Sequence, residues 1–402
     1  MSEEYYTRMP PVAVVSRRGA ERLRAGHPWI YRSDVAPVDA APGDLVRVES
    51  ERGRPLGWAF TSSTSQIALR MIAGATPGDA FDERALFAER LRAAAAYRDA
   101  LAIDATAWRL VNAEADGLPS LVVDRYEDEG AVYFVVQTLS QATDRRLSMI
   151  TELLVEQFAP RGILARNDPK VRRLEGLDEQ IAVLYGEVPD TVATREGRVT
   201  CRVDLRHGQK TGSFLDQREN HAAAARYTHG RVLDAFTYHG GFALQMAPQA
   251  TSVLALDSSG AAVEATRANA AANGITNVEV REANVFDELR EMEIARERFR
   301  TIVLDPPAFA RNKGAVERAL AGYKEINLRA LRLLEPGGHL ITCSCSYNVT
   351  EPLFQAALEA AAADAPATVA VVEKRMQARD HPVLLNVPET YYLKCFILRR
   401  TQ

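Results

Sequence analysis

Cysteine is scarce, at four in 402 residues. That excludes a disulfide framework and points to a reducing, cytosolic setting. No apolar run reaches the roughly 18 residues a membrane helix needs. The acidic, polar start MSEEYYTR is unlike a signal peptide. No membrane partner is expected. An excess of one charge is also missing: 49 Lys and Arg face 53 Asp and Glu, a formal net −4. A uniformly basic nucleic-acid coat is excluded, but local basic surfaces are not. The chain has no G-x-x-x-x-G-K-[ST] motif, so no P-loop is encoded. What is present is ordinary globular composition, 47% hydrophobic and 25% charged. At about 150 residues per domain the length suggests two or three domains.

Charge is uneven along the chain. From Arg8 to Arg32 there are six arginines and one acid, Glu21. From Arg161 to Arg173 there are five basic residues and one acid, Asp168. Such stretches suit phosphate contacts, although a solvated arginine face reads the same way.

Three segments follow. Residues 9–76 look all-β, with short runs VAVV, DLVRVES, PLGWAF and IALRMI punctuated by Gly and Pro. A small barrel or sandwich is the natural arrangement, and GATPGD (74–79) reads as a linker. Residues 77–190 combine a helix at 83–101, strands WRLVN, LPSLVVDRY and AVYFVVQ, and a helix at 143–158, a small α+β module. Residues 191–402 alternate strands (231–236, 252–257, 277–283, 301–307, 338–346) with helices (260–273, 323–334). Alternation predicts a doubly wound parallel sheet, an α/β Rossmann-like fold. VAVVEKR (369–375) and YYLKCFILRR (391–400) are expected to pair antiparallel at its end.

In such sheets ligands bind beyond the carboxyl ends of the strands. The first strand runs into Asp234-Ala-Phe-Thr-Tyr-His-Gly240-Gly241, and the second ends in Asp257, 23 residues after Asp234. An acid at that distance can hold a ribose. The loop lacks the G-x-G-x-x-G spacing that cradles a pyrophosphate. A nucleoside without phosphates, such as S-adenosylmethionine, therefore fits better than NAD or ATP. The fourth strand ends in Asp305-Pro306-Pro307-Ala308-Phe309. The prolines stiffen an extended path, leaving Asp305 to bind an amino group or ring nitrogen and Phe309 to offer a face to a flipped base. The fifth ends in Cys343-Ser344-Cys345-Ser346. C-x-C with two other cysteines argues against zinc, and no metal is expected. Residue pattern alone leaves a nucleophilic thiolate and inert buried cysteines equally open.

The chain resembles the bacterial large-subunit ribosomal RNA 5-methylcytosine methyltransferases that carry an N-terminal PUA domain. The matching stretches are GHPWIYRSDV (26–35), RLVNAEADGLPSLVVDRYED (109–128), RNDPKVRRLEGL (166–177), GQKTGSFLDQREN (208–220), VLDAFTYHGGFAL (232–244), LDSS (256–259), LDPPAFARNK (304–313), GYKEIN (322–327), CSCS (343–346) and DHPV (380–383). They span nearly the whole chain. The resemblance implies an N-terminal PUA-like barrel that binds RNA, with Arg17 and Arg18 on its phosphate-contacting surface. It implies S-adenosylmethionine as cofactor, held by Asp234, Phe236, Thr237, Gly240, Gly241, Asp257 and Ser258, with Asp305 beside it. Asn284 stands where relatives usually carry an Asp that touches the adenine amino group. An Asn oxygen can still accept that bond. Cys345 matches the nucleophile, Asp305 the acid that contacts the target base, and Cys343 ranks second. Gln209, Lys210, Arg218, Tyr323 and Lys324 belong to family-like motifs, with Lys210 and Arg218 expected near substrate.

The expected reaction is methylation at carbon 5 of cytosine in 23S ribosomal RNA, free or in an assembling large subunit, through a cysteine adduct. Many other RNA 5-methylcytosine enzymes carry a second cysteine after the paired prolines. Here that position is Ala308, so the base that removes the carbon 5 proton is not identified, with Cys343 one candidate. Alternatives are an RNA guanine N-methyltransferase, which needs no cysteine, and a non-catalytic assembly factor, which the Asn284 departure favours. Relatives of this kind can form homodimers.

Overall fold

A computed structural model describes residues 10–75, 81–310 and 312–402. Arg8, most of the expected linker (76–79) and residue 311 of the LDPPAFARNK stretch lie outside the described residues. The chain divides into two compact units. The first takes in the chain up to Val192 together with Val203–Ser213 and Asp380–Thr390. The second comprises Ala193–Arg202, Phe214–Arg379 and Tyr391–Gln402. The units are discontinuous in sequence, whereas the boundaries expected at 76/77 and 190/191 cut the chain into contiguous pieces.

The first unit opens with β1 (Val12–Val15), α1 (Arg17–Arg24), β2 (Trp29–Tyr31), β3 (Leu45–Ser50), β4 (Pro55–Thr61) and β5 (Ile67–Gly74). Its strands form one sheet in the order β1-β3-β4-β5-β2. The helix is a departure from the all-β expectation. Ser16 caps it by accepting from the Gly19 amide at 3.2 Å, and Arg17 pairs with Glu21 one turn on. Gly19 is tolerated mid-helix because a Cβ there would lie 3.2 Å from Ile30.

Then come α2 (Glu83–Ala100), β6 (Ala107–Asn112), β7 (Leu121–Asp128), β8 (Ala131–Thr138), α3 (Gln141–Arg145), α4 (Leu147–Phe158), β9 (Gly162–Asn167) and β10 (Gln180–Gly186). The strands form a second sheet, β10-β9-β8-β7-β6. The helix expected at 143–158 is two helices that break at Arg146, where ψ is near 7°. One core joins Phe87 and Leu91 of α2, Leu153 and Leu154 of α4, and Trp58 and Phe60 of the first sheet. Beside it lies a buried ionic network. Arg98 grips both oxygens of Asp116 and donates to the Asp380 carbonyl at 2.7 Å. The Asp380 carboxylate accepts the Arg109 amide at 2.9 Å. Arg109 forks onto Asp124 at 2.8 and 2.9 Å, and Asp124 also accepts the Thr211 hydroxyl at 2.6 Å.

β11 (Thr191–Glu196) and β12 (Val199–Asp204) pair as a two-stranded ribbon. The second unit then adds α5 (Arg218–Arg226), β13 (Arg231–Ala235), α6 (Gly241–Met246), β14 (Ser252–Asp257), α7 (Gly260–Ala272), β15 (Val278–Glu282), α8 (Val285–Ile294), β16 (Phe299–Leu304), α9 (Val316–Leu333), β17 (Leu334–Ser344), α10 (Glu351–Asp364), β18 (Val369–Arg375) and β19 (Lys394–Arg400). Seven strands form a sheet in the order β15-β14-β13-β16-β17-β19-β18. The first five run parallel and the last two pair antiparallel, as the tail of the sequence predicts. Along each strand, alternate residues feed two cores. Leu233, Leu254 and Ile302 face one, and Val232, Val253 and Val303 face the other. A sheet covered on both faces leaves its strand ends as the place where polar chemistry can gather.

Candidate active site at the carboxyl edge of the sheet

Beyond β13 the chain makes a tight, hydrogen-bonded loop. The strand stops one residue short of the expected end because Phe236 turns to a φ of +69°, and Tyr238 follows at +54°. Non-glycine residues in this region are uncommon and gather at functional sites. The Thr237 amide donates to the Leu256 carbonyl at 2.9 Å. The Tyr238 amide donates to Asp257 at 3.0 Å, and Thr266 and Asn269 of α7 donate to the Tyr238 and His239 carbonyls at 2.7 and 3.0 Å. Asp257 also accepts the Ser259 amide at 2.9 Å. It thus braces its own loop and the neighbouring one, while Ser258 is exposed.

The paired glycines have reasons within the fold. Gly240 sits at φ +93°, a backbone that L side chains rarely adopt, and opens α6. A Cβ on Gly241 would stand 2.6 Å from the His221 ring. His221 packs edge-on against Phe242 with centroids 4.5 Å apart, and its Nδ1 lies 2.9 Å from Glu196. Burial opposes its protonation, but Glu196 and then Asp305 and Asp234 outweigh that and raise its pKa.

Asp234 is fully buried. Its Oδ2 accepts the Thr237 hydroxyl at 2.6 Å and the Ala243 amide at 3.0 Å. Its Oδ1 has no hydrogen-bond partner among the described residues. Burial pushes the carboxyl up to about 6. Asp305, at the tip of β16, is pushed up to about 7, first by burial; His221 opposes the rise, Asp216 adds to it, and Gln217 donates to its side chain. Two carboxyls forced toward neutrality beside a histidine form a cluster poised for binding or proton chemistry.

The end of β17 splits into two faces. Ser344 and Ser346 both bond the Tyr323 hydroxyl, at 3.0 and 2.9 Å, and Ser346 accepts the Ala310 amide at 3.1 Å. The serines therefore tie this strand end to α9 and to the loop after Asp305. The cysteines pack on the opposite core. Cys343 is fully buried and lies opposite Cys395 in the β17–β19 register. Burial and then Cys395 hold its thiol well above the usual range. Cys345 is half-buried, its Sγ 3.8 Å from the Pro306 carbonyl.

Other expected residues are placed as follows. Asn284 caps α8, its side-chain oxygen accepting the Phe286 amide at 3.0 Å. Phe309 is half-buried between Phe286 and Tyr323, with centroids 5.9 and 4.7 Å away. Arg218 is buried at the start of α5. Lys324 pairs with Asp364 at 2.7 Å on the surface. Gln209 and Lys210 are exposed in the first unit, Lys210 at φ +55°. Also in that unit, Arg17 is exposed and Arg18 is held by Asp34 at 2.7 Å. Sequence reasoning missed His221, Gln217 and Lys394. His221 falls one residue past the motif that was singled out, and Lys394 is one charge inside an apolar strand.

Residues 170–399 match the S-adenosylmethionine-dependent methyltransferase family, and residues 13–73 match a PUA-like domain. The chain belongs to this methyltransferase family. Among its relatives is the ribosomal RNA large subunit methyltransferase I of Aeromonas hydrophila, 39% identical over 95% of this chain and 98% of that one. The protein of the same name from Shewanella amazonensis is 40% identical over 96% and 99%. A solved Streptococcus mutans protein, described as a candidate SAM-dependent methyltransferase, shares the fold with a TM-score of 0.81 at 20% identity, covering 96% of this chain and 99% of its own. Another solved chain, described as a candidate methyltransferase complexed with SAH, gives 0.82 at 21% identity over the same shares. The methyltransferase uses S-adenosylmethionine, and its own residues fit that cofactor. The unfilled Asp234 oxygen can accept from the ammonium of the methionine part, and the Asp257 carboxylate has further lone pairs for a ribose. Among the described residues no metal-binding cluster occurs and no helix is long and apolar enough to cross a membrane.

Proposed function

We propose that this methyltransferase forms 5-methylcytosine in large-subunit (23S) ribosomal RNA, with Cys345 as nucleophile. The observation that carries the reading is the half-buried thiol of Cys345 lying 3.8 Å from the carbonyl of Pro306, next in sequence to Asp305. S-adenosylmethionine, when bound, supplies the methyl group. Cys345 adds as thiolate to carbon 6 of the cytosine, which makes carbon 5 electron-rich. Asp305, with a carboxyl near neutrality at about 7, holds a proton at ring nitrogen 3 during the addition. After methylation a base takes the carbon 5 proton, the carbon–sulfur bond breaks, and the thiolate is restored. Cys343 is the weaker candidate for nucleophile or base, because its buried thiol resists ionisation.

Asp234, Thr237, Asp257 and the loop from Phe236 to Gly241 hold the cofactor. Asn284 accepts the adenine amino group on the second lone pair of its side-chain oxygen, whose first takes the Phe286 amide. The PUA-like sheet binds RNA through exposed arginines such as Arg17. Two named relatives act, by their names, on ribosomal RNA of the large subunit, which supports that substrate here and a cytoplasmic place of work. Whether the working form is a homodimer is read by light scattering.

The test is methyl transfer from labelled cofactor to unmethylated 23S ribosomal RNA, with the product digested to nucleosides. Cys345→Ala should cut 5-methylcytidine formation by about 10³-fold or more, as loss of a nucleophile does elsewhere, while Cys343→Ala should retain it. Methylguanosine made equally by both variants would overturn the reading and favour guanine N-methylation. No cofactor binding at all would favour an assembly factor.

A further inference from the structure

Lys394 is an anomaly in β19. The strand reads KCFILRR, and its first five residues are buried. Lys394 is only 1% exposed, although lysine is almost never fully buried unless paired. Its ammonium donates to the carbonyls of Ser346 at 2.8 Å and Tyr392 at 2.9 Å. Neither acceptor carries a charge. The carboxylate it senses most, Glu351, is already engaged: one oxygen takes Lys374 and the other the Tyr391 hydroxyl, at 2.9 and 2.8 Å. A buried cation without a counter-ion is strongly unfavourable. Lys394 sits opposite Ser344, so its stem leaves the strand on the serine face, and its ammonium reaches the strand end at the carbonyl of Ser346, the residue next to Cys345.

We propose that Lys394 is a positioning residue whose buried ammonium acts as counter-ion to the Cys345 thiolate. The inference rests on Cys345 being the nucleophile proposed above, and it supplies what that reading lacked, a reason for this thiol to ionise near neutrality. Lysines beside cysteines lower thiol pKa values in this way. The electrostatics agree. Burial lowers the Lys394 pKa to about 8, and Cys345 and then Glu351 act against that fall. Among the described residues, the groups that act on this pair include Tyr323 from α9, whose hydroxyl burial pushes up to about 12 and which feels Cys345, and Glu351 from α10 with its partners Lys374 and Tyr391. Asp305, from the loop after β16, acts on the neighbouring Cys343.

The experiment follows alkylation of the full-length protein by iodoacetamide across pH 5.5–9.5 (roughly the window for a perturbed thiol), with each cysteine read by peptide mass spectrometry. Wild type, Lys394→Gln, Lys394→Met and Lys394→Arg are compared, and near-ultraviolet circular dichroism checks that each is folded. Gln keeps donors for the two carbonyls without the charge. The apparent midpoint at Cys345 should rise by about one pH unit or more in the Gln and Met variants, a tenfold slower reaction near neutrality. Arg should restore most of it. A Cys345 profile that does not move in a folded Gln or Met variant overturns the proposal, as does a wild-type Cys345 that stays unreactive below pH 9. The Cys345→Ala nucleoside assay fails separately: a product independent of Cys345 would remove the nucleophile but leave the alkylation result standing.

Discussion

Two buried polar clusters, one in each unit, hold charge in opposite ways. In the first, Arg98, Arg109, Asp116, Asp124 and Asp380 hand hydrogen bonds around a closed network. In the second, among the described residues, Asp234 keeps an oxygen without a hydrogen-bond partner, Asp305 is pushed to about 7, and Lys394 donates to neutral carbonyls. Satisfied burial serves the scaffold. Incompletely satisfied burial marks a place where a ligand or reacting group is to complete the set.

Breaking each arrangement should give different signatures. The largest stability loss belongs to the closed network. Asp116→Ala strands the Arg98 guanidinium and should destabilise the protein by about 3–5 kcal/mol, measured as a shift of the urea midpoint. Asp234→Asn should do the reverse. A charge-assisted hydrogen bond is worth about 1.5–3 kcal/mol, so cofactor affinity should fall roughly 10- to 100-fold by calorimetry, with little change in urea midpoint. A large stability loss there instead would mean that Asp234 is scaffold and erase the distinction between the units.

The subtlest effect is in pH. The Asp305 carboxyl is raised from 3.8 to about 7 by burial, so the folded state holds a proton that the unfolded state releases. Its stabilising contribution is full below about pH 4, declines as pH rises, and is gone once pH passes about 7. Asp305→Asn removes this term. The wild-type stability minus that of the variant should therefore fall between pH 4.5 and 7.5 in urea titrations. A flat difference would mean that Asp305 is ionised in the folded protein and would weaken its assignment as a proton holder.

Much of this was legible in the sequence where local pattern and tertiary need agree. Strands β13, β14 and β16 alternate between two cores, so their β-rich runs and terminal acids announce both the sheet and the edge where the site lies. Phe236 could not be read as a strand terminator, because nothing in its side chain demands a φ of +69°; the hydrogen bonds to α7 and Asp257 impose it. Paired glycines after a strand suggest room for a ligand, yet Gly241 leaves room for the His221 ring, a partner about twenty residues away that no spacing rule connects. Helix α1 was hidden for a related reason. Its glycine argues against a helix locally, and contact with Ile30 explains it. A C-S-C-S run at a strand end puts its two cysteines on one face. What it could not reveal was that the serines face Tyr323 and that Lys394 arrives from the last strand.

The order of the chain has a consequence for how the molecule is made. The Asp380 carbonyl and carboxylate that complete the Arg98 and Arg109 network belong to Asp380–Thr390, a late segment of the first unit. A ribosome delivers those residues after nearly all of the second unit has emerged. The first unit, though begun first, can close its ionic core only near the end of synthesis. Until then Arg98 and Arg109 hold only their near neighbours Asp116 and Asp124, and a nascent chain released early would lack the late strap that joins the two pairs.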